Sequence, residues 1–248
     1  MAVRFSVDRD GIAWIRISRP ERRNAWSSEV SVSIFELISK ISGDPGVIGV
    51  IITGDGDYFS SGVDLREILD ADGRDKIYEI FEKARRAFEA IALLEKPVVA
   101  AVNGPAYGIS VELLHMVDYV LASRRASFAI TGARLGLVPP LSPTIGWRNI
   151  GVRRACYLAI SGSTISPDNA LMIGLVDEVI DHDMLEERAR MVVKEISASE
   201  PQAIATIKRI VSRERIRGIE EGFRLIAESA LRSETRERIR GFLAKRQS

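Results

Sequence analysis

The sequence has little of what several protein classes require. It contains one cysteine, Cys156, in 248 residues, which excludes an internal disulfide and a cysteine-based metal cluster. No apolar run approaches the roughly 20 residues that span a bilayer, and the N-terminus has no stretch suited to a signal peptide. The 35 basic and 34 acidic residues leave a net charge of +1, so nothing indicates nucleic acid or a membrane surface as a partner. We therefore expect a cytoplasmic protein without a metal site.

What is present is the composition of a globular domain. Hydrophobic residues make up 46% and charged residues 28% of the chain, enough to bury a substantial core in one large domain. Residues 5–17 alternate around an Asp-Gly turn and predict two short strands. Their inward side chains are predicted to be Val7, Ile12, Trp14 and Ile17.

Strands and helices then alternate along the chain. The predicted helices are 27–42, 77–94, 146–161 and 166–174, and the predicted strands are 47–53, 96–102, 175–180 and two within 119–130. From residue 183 onward the pattern is helical, in the segments 184–197, 200–213, 219–232 and 233–246. Strands separated by helices imply crossover connections and largely parallel pairing, so the predicted class is α/β.

One unit occurs twice: a buried strand, a glycine-bearing turn and the start of a helix. The turns are GDGDYFSSG (54–62) and NGPAYG (103–108). The first N–H groups of a helix have no intrahelical acceptor and lie at the positive end of the helix dipole. Two such turns could direct two N–H groups at one oxygen, as in an oxyanion hole. The pattern also fits plain tight turns, and neither phosphate-binding pattern, GxGxxG or GxxxxGK[ST], is present.

A carboxylate, Glu112, lies one turn into the helix that follows the second of these turns. With His115 and Asp118 at three-residue spacing, it fits the polar edge of an amphipathic helix. Alternatively, it faces the point where the two N–H groups converge and acts as a general acid or base. Cys156, in an apolar helix, is predicted to be a core thiol.

Several segments together resemble the motifs of one family. They are RPERRNAWSSE, YFSSGVDLREI, KPVVAAVNGPAYGISVELLHMVDYVLAS, ASFAITGARLGLVPP, SPDNALMIGLVDEVI and SETRERIRGFLAKR. In order and content they are similar to those of the crotonase, or enoyl-CoA hydratase/isomerase, superfamily. The resemblance implies a crotonase-like spiral of ββα units.

In that fold, residues 1–182 would form the core with the CoA-thioester site. Residues 183–248 would form a C-terminal helical region of the same domain that covers CoA and mediates trimerisation. The resemblance also implies an acyl-CoA thioester as the ligand and a homotrimer or homohexamer as the assembly. No cofactor is implied besides the coenzyme A of the substrate.

The resemblance assigns roles position by position. It implies the backbone N–H groups of Val63 and Ile109 as the oxyanion hole and Glu112 as the first of the two catalytic glutamates of the hydratases. The implied substrate-binding residues are Arg22, Arg23, Ala25, Ser61, Gly62, Asp64, Leu65, Arg66, Gly108 and Gly132. The first three match the segment that meets the nucleotide end of CoA. By the same resemblance, Lys245 and Arg246 could reach its 3′-phosphate from this subunit or a neighbouring one; alternatively, they are solvated surface charges.

The chain departs from the hydratase pattern in two places. A run of three glycines is replaced by the segment 108–111, in which Ile109 keeps its N–H but adds a side chain near the acyl pocket. Gly132 occupies the position of the second glutamate, and no acidic residue lies between Asp118 and Asp168. Because hydratases divide water activation and proton delivery between two carboxylates, efficient hydration by that mechanism is not expected.

Three functions remain open. The first is an acyl-CoA enzyme of the hydratase/isomerase class in which Glu112 moves protons at a thioester enolate. The second is another enolate reaction, such as isomerisation, decarboxylation or thioester hydrolysis. The third is a CoA-thioester-binding protein with little catalysis. Thr131, Ser142 and Thr144 offer hydroxyl groups near Gly132, and we interpret them as turn and cap residues.

Overall fold

A six-stranded sheet forms the centre of the computed structural model, which describes residues 1–245. The strands are β1 Val3–Val7, β2 Ile12–Ile17, β3 Gly49–Gly54, β4 Val98–Val102, β5 Ala106–Tyr107, β6 Tyr119–Ser123, β7 Phe128–Ala129 and β8 Glu178–Ile180. The main sheet has the order β1-β2-β3-β4-β6-β8, in which β1 and β2 are antiparallel and the later neighbours are parallel. β5 and β7 pair separately. The predicted α/β class is confirmed.

Helices connect the strands and form the C-terminal region. They are α1 Ser28–Ser42, α2 Leu65–Asp70, α3 Gly73–Leu93, α4 Ile109–Leu113, α5 Trp147–Ile150, α6 Val152–Ser161, α7 Pro167–Met172, α8 Leu185–Ser197, α9 Pro201–Ala230 and α10 Ser233–Ala244. The side chains of Ser27, Asp64, Ser166 and Glu200 accept first-turn N–H groups of α1, α2, α7 and α9, as N-cap residues do. Within the described residues, no helix is long and apolar enough to cross a membrane.

Both faces of the central strands are buried. One face belongs to the main core, to which α1 and α3 contribute Ile34 and Phe88. The opposite face, with Ile51 and Val99, packs against Val192 and its neighbours on α8. A strand covered on both sides needs apolar residues on both faces, which explains the apolar runs 50–52 in β3 and 98–102 in β4. The buried Thr53 of β3 donates its hydroxyl to the Ala101 carbonyl oxygen.

The N-terminal hairpin forms as predicted, but the prediction that Val7 points inward is wrong. Ile12, Trp14 and Ile17 are buried, but Val7 is 43% exposed. Val7 is the last residue of β1, the edge strand of the sheet, whereas Val3 at the start of the same strand is buried.

The C-terminal region contains a longer helix than predicted. The segments 200–213 and 219–232 form the single helix α9, so the break expected between them is wrong. Gly218 and Gly222 do not interrupt the helix, and their lack of a side chain allows close packing. A Cβ at Gly218 would lie 2.9 Å from Ile145 Cβ, and one at Gly222 would lie 1.7 Å from the carbonyl oxygen of Pro140. The glycines therefore allow α9 to lie directly against the segment 140–146.

The helix predicted at 146–161 is interrupted. Gly151, with φ 83°, separates α5 from α6, because this conformation is accessible to glycine and cannot continue a helix. Cys156 lies on the outer face of α6 and is exposed, so its prediction as a core thiol is wrong. The buried positions of α6 are Ala155, Leu158 and Ala159.

Candidate functional site

A cavity of about 670 Å³ lies beside the segments that follow β3 and β4, in the size range of small-molecule sites. The residues that the resemblance assigns to the oxyanion hole, to catalysis and to substrate binding line it: Arg22, Arg23, Ala25, Ser61, Gly62, Val63, Asp64, Leu65, Arg66, Gly108, Ile109, Glu112 and Gly132. Lys245 is not among its lining residues. Apolar residues without a distinguishing sequence signal complete the wall, among them Ile130, Leu135, Leu137, Val138 and Ile226. Segments far apart in the chain thus share one space.

Two glycines bring the two strand-to-helix turns into contact. Gly62 (φ 93°) and Gly108 (φ 58°) both adopt a conformation that favours glycine. A Cβ at Gly62 would lie 2.7 Å from the Tyr107 carbonyl oxygen, and one at Gly108 would lie 3.6 Å from the Gly62 Cα. The carbonyl oxygen of Ser60 accepts the Tyr107 N–H at 2.9 Å and the Ser110 hydroxyl at 3.0 Å. The two turns therefore form one packed unit.

The residues that follow these glycines are Val63 and Ile109. Across residues 1–245, no protein acceptor is found for the N–H group of either one. Because unpaired backbone N–H groups need an acceptor, two of them beside a cavity are suited to a ligand oxygen. The Ile109 side chain is 3% exposed and packs in the main core, which is how the fold accommodates a residue larger than glycine.

Glu112 is fully buried in the wall of the cavity, so its interpretation as the polar edge of a surface helix is wrong. Its Oε2 atom accepts the N–H groups of Leu141 at 2.5 Å and Ser142 at 2.6 Å. Its Oε1 atom accepts the Ser142 hydroxyl at 2.6 Å. His115, one turn further along, is also buried, and only Asp118 is partly exposed.

Burial raises the pKa of Glu112, and the hydrogen bonds from Ser142 and Leu141 oppose this shift. A carboxyl group with a raised pKa is better matched to proton exchange near neutral pH than an exposed one. The same contacts also tie α4 to the loop 137–141 and to the π-helical turn Ser142–Gly146, which leads from this loop into α5. Glu112 is therefore placed both to transfer protons and to hold this loop.

Gly132 lies at the cavity in a 3₁₀ turn. Among the described residues, the acidic side chains that line the cavity are Glu21, Asp64 and Glu112. A Cβ at Gly132 would lie 3.0 Å from the carbonyl oxygen of Leu137, so a larger side chain requires the turn to shift.

The hydroxyl groups near Gly132 have different surroundings. Thr144 Oγ1 donates to the Pro140 carbonyl oxygen at 2.8 Å, in agreement with its interpretation as a turn residue. Ser142 has a different role, because its hydroxyl binds Glu112. Thr131 lines the cavity, and a Cβ at Gly108 would lie 3.8 Å from its Oγ1 atom. Thr131 is thus the hydroxyl residue of the three that borders the paired turns.

Arg19, which was not predicted as a site residue, joins the two segments proposed to bind CoA, 22–25 and 61–66. Its guanidinium group donates to the Ala25 carbonyl oxygen at 2.7 Å and to Asp64 Oδ2 at 2.9 Å. Asp64 also accepts the N–H of Arg66 as the N-cap of α2. These bonds fix the loop before α1 against the start of α2.

Exposed basic side chains lie around the cavity mouth. Arg22, Arg23 and Arg66 are exposed while their residues line the cavity. Lys245 is also exposed, and Arg246 lies outside the described residues.

The buried His115 predicts a loss of stability in acid. Burial, with a smaller contribution from the charge of Arg215, lowers its pKa to about 4 from 6.5. Because the unfolded chain binds this proton more readily, the stabilisation is complete above pH 6.5 and is lost as the pH falls towards 4. At pH 5 the expected loss is about 2 kcal/mol in the free energy of unfolding.

Urea unfolding of the wild type and of His115→Gln at pH 7.5 and pH 5 checks this prediction. The variant keeps the titration of Glu112, so the difference between the two proteins isolates His115. A difference that does not change with pH would contradict the assignment.

Comparisons with known proteins agree on one family. The family model described as Enoyl-CoA hydratase/isomerase matches residues 8–248. The chain is 31% identical over 246 residues to a candidate enoyl-CoA hydratase of Thermus thermophilus, with 97% of both proteins covered. It is 32% identical over 244 residues to the carnitinyl-CoA dehydratase of Salmonella typhi, covering 94% of this chain and 89% of that protein. The solved structure of an enoyl-CoA hydratase/isomerase from Pseudoalteromonas atlantica T6c gives a TM-score of 0.88 at 26% identity, covering 99% of this chain and 98% of that one.

Proposed function

The chain belongs to the enoyl-CoA hydratase/isomerase family, and on that basis we propose that it is an acyl-CoA enzyme that forms a thioester enolate. In this proposal the thioester oxygen accepts hydrogen bonds from the N–H groups of Val63 and Ile109. Glu112 takes a proton from the carbon next to the thioester. The electron pair of the broken C–H bond moves onto the oxygen, where the two N–H groups stabilise the negative charge.

The observation that carries the proposal is the packed pair of turns. Gly62 and Gly108 touch, the N–H groups that follow them have no acceptor within the described chain, and Glu112 lines the same cavity. The contribution of such donors is large, since removing one from an oxyanion hole costs on the order of 10²–10³ in rate. A cavity with two free donors and one buried acid suits enolate chemistry better than simple binding.

Deuterium exchange tests the proposal without assuming which product the enzyme makes. In deuterated water, butyryl-CoA should gain mass at the carbon next to the thioester, because Glu112 removes a proton and returns a deuteron after solvent exchange. Mass spectrometry reads the gain. Binding of butyryl-CoA without exchange would favour the competing role, a CoA-thioester-binding protein in which Glu112 only holds the loop through Leu141 and Ser142.

We expect hydration to be limited by the missing second carboxylate. Gly132→Glu should raise the rate of water addition to crotonyl-CoA by roughly 10-fold or more, because it supplies a second acid-base group. Gly132→Gln is the matched control, since both variants crowd the Leu137 carbonyl oxygen and lower the melting temperature. Equal hydration rates in the two variants would contradict the expectation.

The assembly proposed for the chain is a homotrimer or homohexamer. Large apolar side chains on the surface support it: on α6, Val152, Tyr157 and Ile160 are 59%, 62% and 74% exposed, and Met172 on α7 is 75% exposed. Where such side chains form one contiguous patch, the patch commonly marks a protein interface. Light scattering coupled to size exclusion should give a mass of three or six chains, and a monomer mass would contradict it.

A further inference from the structure

Among the described residues, the hydrogen bonds of Glu112 leave one acceptor position unused. An ionised carboxylate offers about four lone-pair positions, two on each oxygen. Oε2 accepts two backbone N–H groups, from Leu141 and Ser142, and is therefore fully occupied. Oε1 accepts one bond, from the Ser142 hydroxyl. The remaining position is on Oε1, which makes Oε1 the atom of Glu112 that is able to receive a substrate proton.

The Ser142 hydroxyl lies between this oxygen and a buried imidazole. Ser142 Oγ is 2.6 Å from Glu112 Oε1 and 3.4 Å from His115 Nε2. A hydroxyl group has one hydrogen, and the Glu112 oxygen at 2.6 Å is the nearer acceptor and takes it. In the longer contact Ser142 must then accept, so Nε2 of His115 carries the ring hydrogen.

The surroundings of His115 agree with this tautomer. The side chain is 2% exposed, and its Nδ1 atom has no hydrogen-bond partner among the described residues. A neutral imidazole has one N–H group, and the nitrogen with a neighbouring acceptor is the one to carry it. A Cβ at Gly146 would lie 2.5 Å from Nε2, so glycine at this position leaves room for the ring.

Burial and one nearby positive charge keep the His115 ring neutral, against the acidic groups that lie beyond Arg215 and Ser142. Burial lowers its pKa, and the positive charge of Arg215 on α9 adds to the shift. Arg215 lies beside Asp118, which is paired with Lys208 of the same helix. Glu112 is the acidic group on the other side, connected through Ser142.

We propose that His115 is a positioning residue that acts through Ser142: its Nε2–H group fixes the Ser142 hydroxyl as a donor to Glu112, leaving Oε1 as the oxygen that exchanges protons with the substrate. If the ring hydrogen were on Nδ1, Nε2 would compete for the Ser142 hydrogen and Glu112 would lose a donor. The inference rests on the proposed function for its catalytic meaning, while the direction of the hydrogen bonds is independent of it.

The first test reads this direction in the resting protein. Nitrogen-15 NMR of labelled imidazole should show His115 with a protonated Nε2 and a bare Nδ1 at pH 7. In Ser142→Ala the ring loses this neighbour, and the Nε2 signal should move. A ring protonated on Nδ1 would overturn the inference whether or not the protein is an enzyme.

The second test uses the pH dependence of deuterium exchange into butyryl-CoA. Exchange requires ionised Glu112, so kcat/KM should rise with pH through the pKa of that group. Ser142→Ala removes a hydrogen-bond donor to the ionised form of Glu112. The midpoint of the rise in kcat/KM should therefore move to higher pH by about one unit. His115→Leu should move this midpoint to higher pH by about half a unit.

His115→Gln provides the rescue, because its amide N–H group can replace Nε2–H, and its profile should match that of the wild type. KM should stay constant in all three variants, since none of the changed groups binds CoA. A loss of rate that is equal at every pH, with the midpoint unchanged, would assign His115 a packing role and overturn the inference. Absence of exchange in the wild type would instead overturn the proposed function.

Discussion

Glu112→Gln should reduce deuterium exchange into butyryl-CoA by about 10²–10⁴-fold, the usual contribution of a general acid or base. Glutamine has nearly the same shape, and its amide oxygen is able to accept the N–H groups of Leu141 and Ser142 that now bind Oε2. The loop should therefore stay in place while the proton acceptor is lost. Mass spectrometry measures exchange, and calorimetry measures the affinity for butyryl-CoA, which should not change.

Glu21→Gln is the matched control, because Glu21 also lines the cavity but is exposed at its mouth. It should leave exchange within about two-fold of the wild type. Retained exchange in Glu112→Gln, with normal folding, would show that Glu112 only supports the loop.

Asp118→Ala should cause the largest loss of stability, about 3–5 kcal/mol in the free energy of unfolding. Asp118 Oδ2 accepts the Val98 N–H at 2.8 Å and pairs with Lys208, whose side chain is 8% exposed. Removing the carboxylate leaves a buried ammonium group and a buried N–H group without their partner. This loss is a large part of the 5–15 kcal/mol that stabilises a typical domain, and urea unfolding measures it.

The control uses the neighbouring ion pair of the same helix. Glu95 and Arg209 are each 54% exposed, so Glu95→Ala should cost less than about 1 kcal/mol. Adding Lys208→Met to Asp118→Ala should restore part of the lost stability, because the unpaired charge is removed. Equal losses for Asp118→Ala and Glu95→Ala would contradict the role given to burial.

The alternating elements were predictable because their signals are local. Buried parallel strands read as continuous apolar runs, and the glycine turns after β3 and β4 are visible in the sequence. The break expected within α9 was wrong because glycine weakens a helix locally, whereas Gly218 and Gly222 are required by contacts with Ile145 and Pro140. Those contacts join distant parts of the chain and leave no local pattern.

For the site, the lining residues were predictable from the sequence, but their hydrogen-bond partners were not. The residues assigned to substrate binding and catalysis do line one cavity, although the motif at 166–180 contributes none of its lining residues. The partners of Glu112 were not predictable, because Leu141 and Ser142 lie 29 and 30 residues further along the chain. The burial of His115 was equally hidden, since its spacing from Glu112 also fits a polar helix edge.

The most direct measurement is a crystal structure of the protein with butyryl-CoA bound. The account predicts the thioester oxygen about 2.7–3.1 Å from the backbone nitrogens of both Val63 and Ile109. It also predicts the adjacent carbon within about 3.5 Å of Glu112 Oε1. A thioester oxygen bound by other groups, with Glu112 still enclosed by Leu141 and Ser142 and out of reach of that carbon, would contradict it.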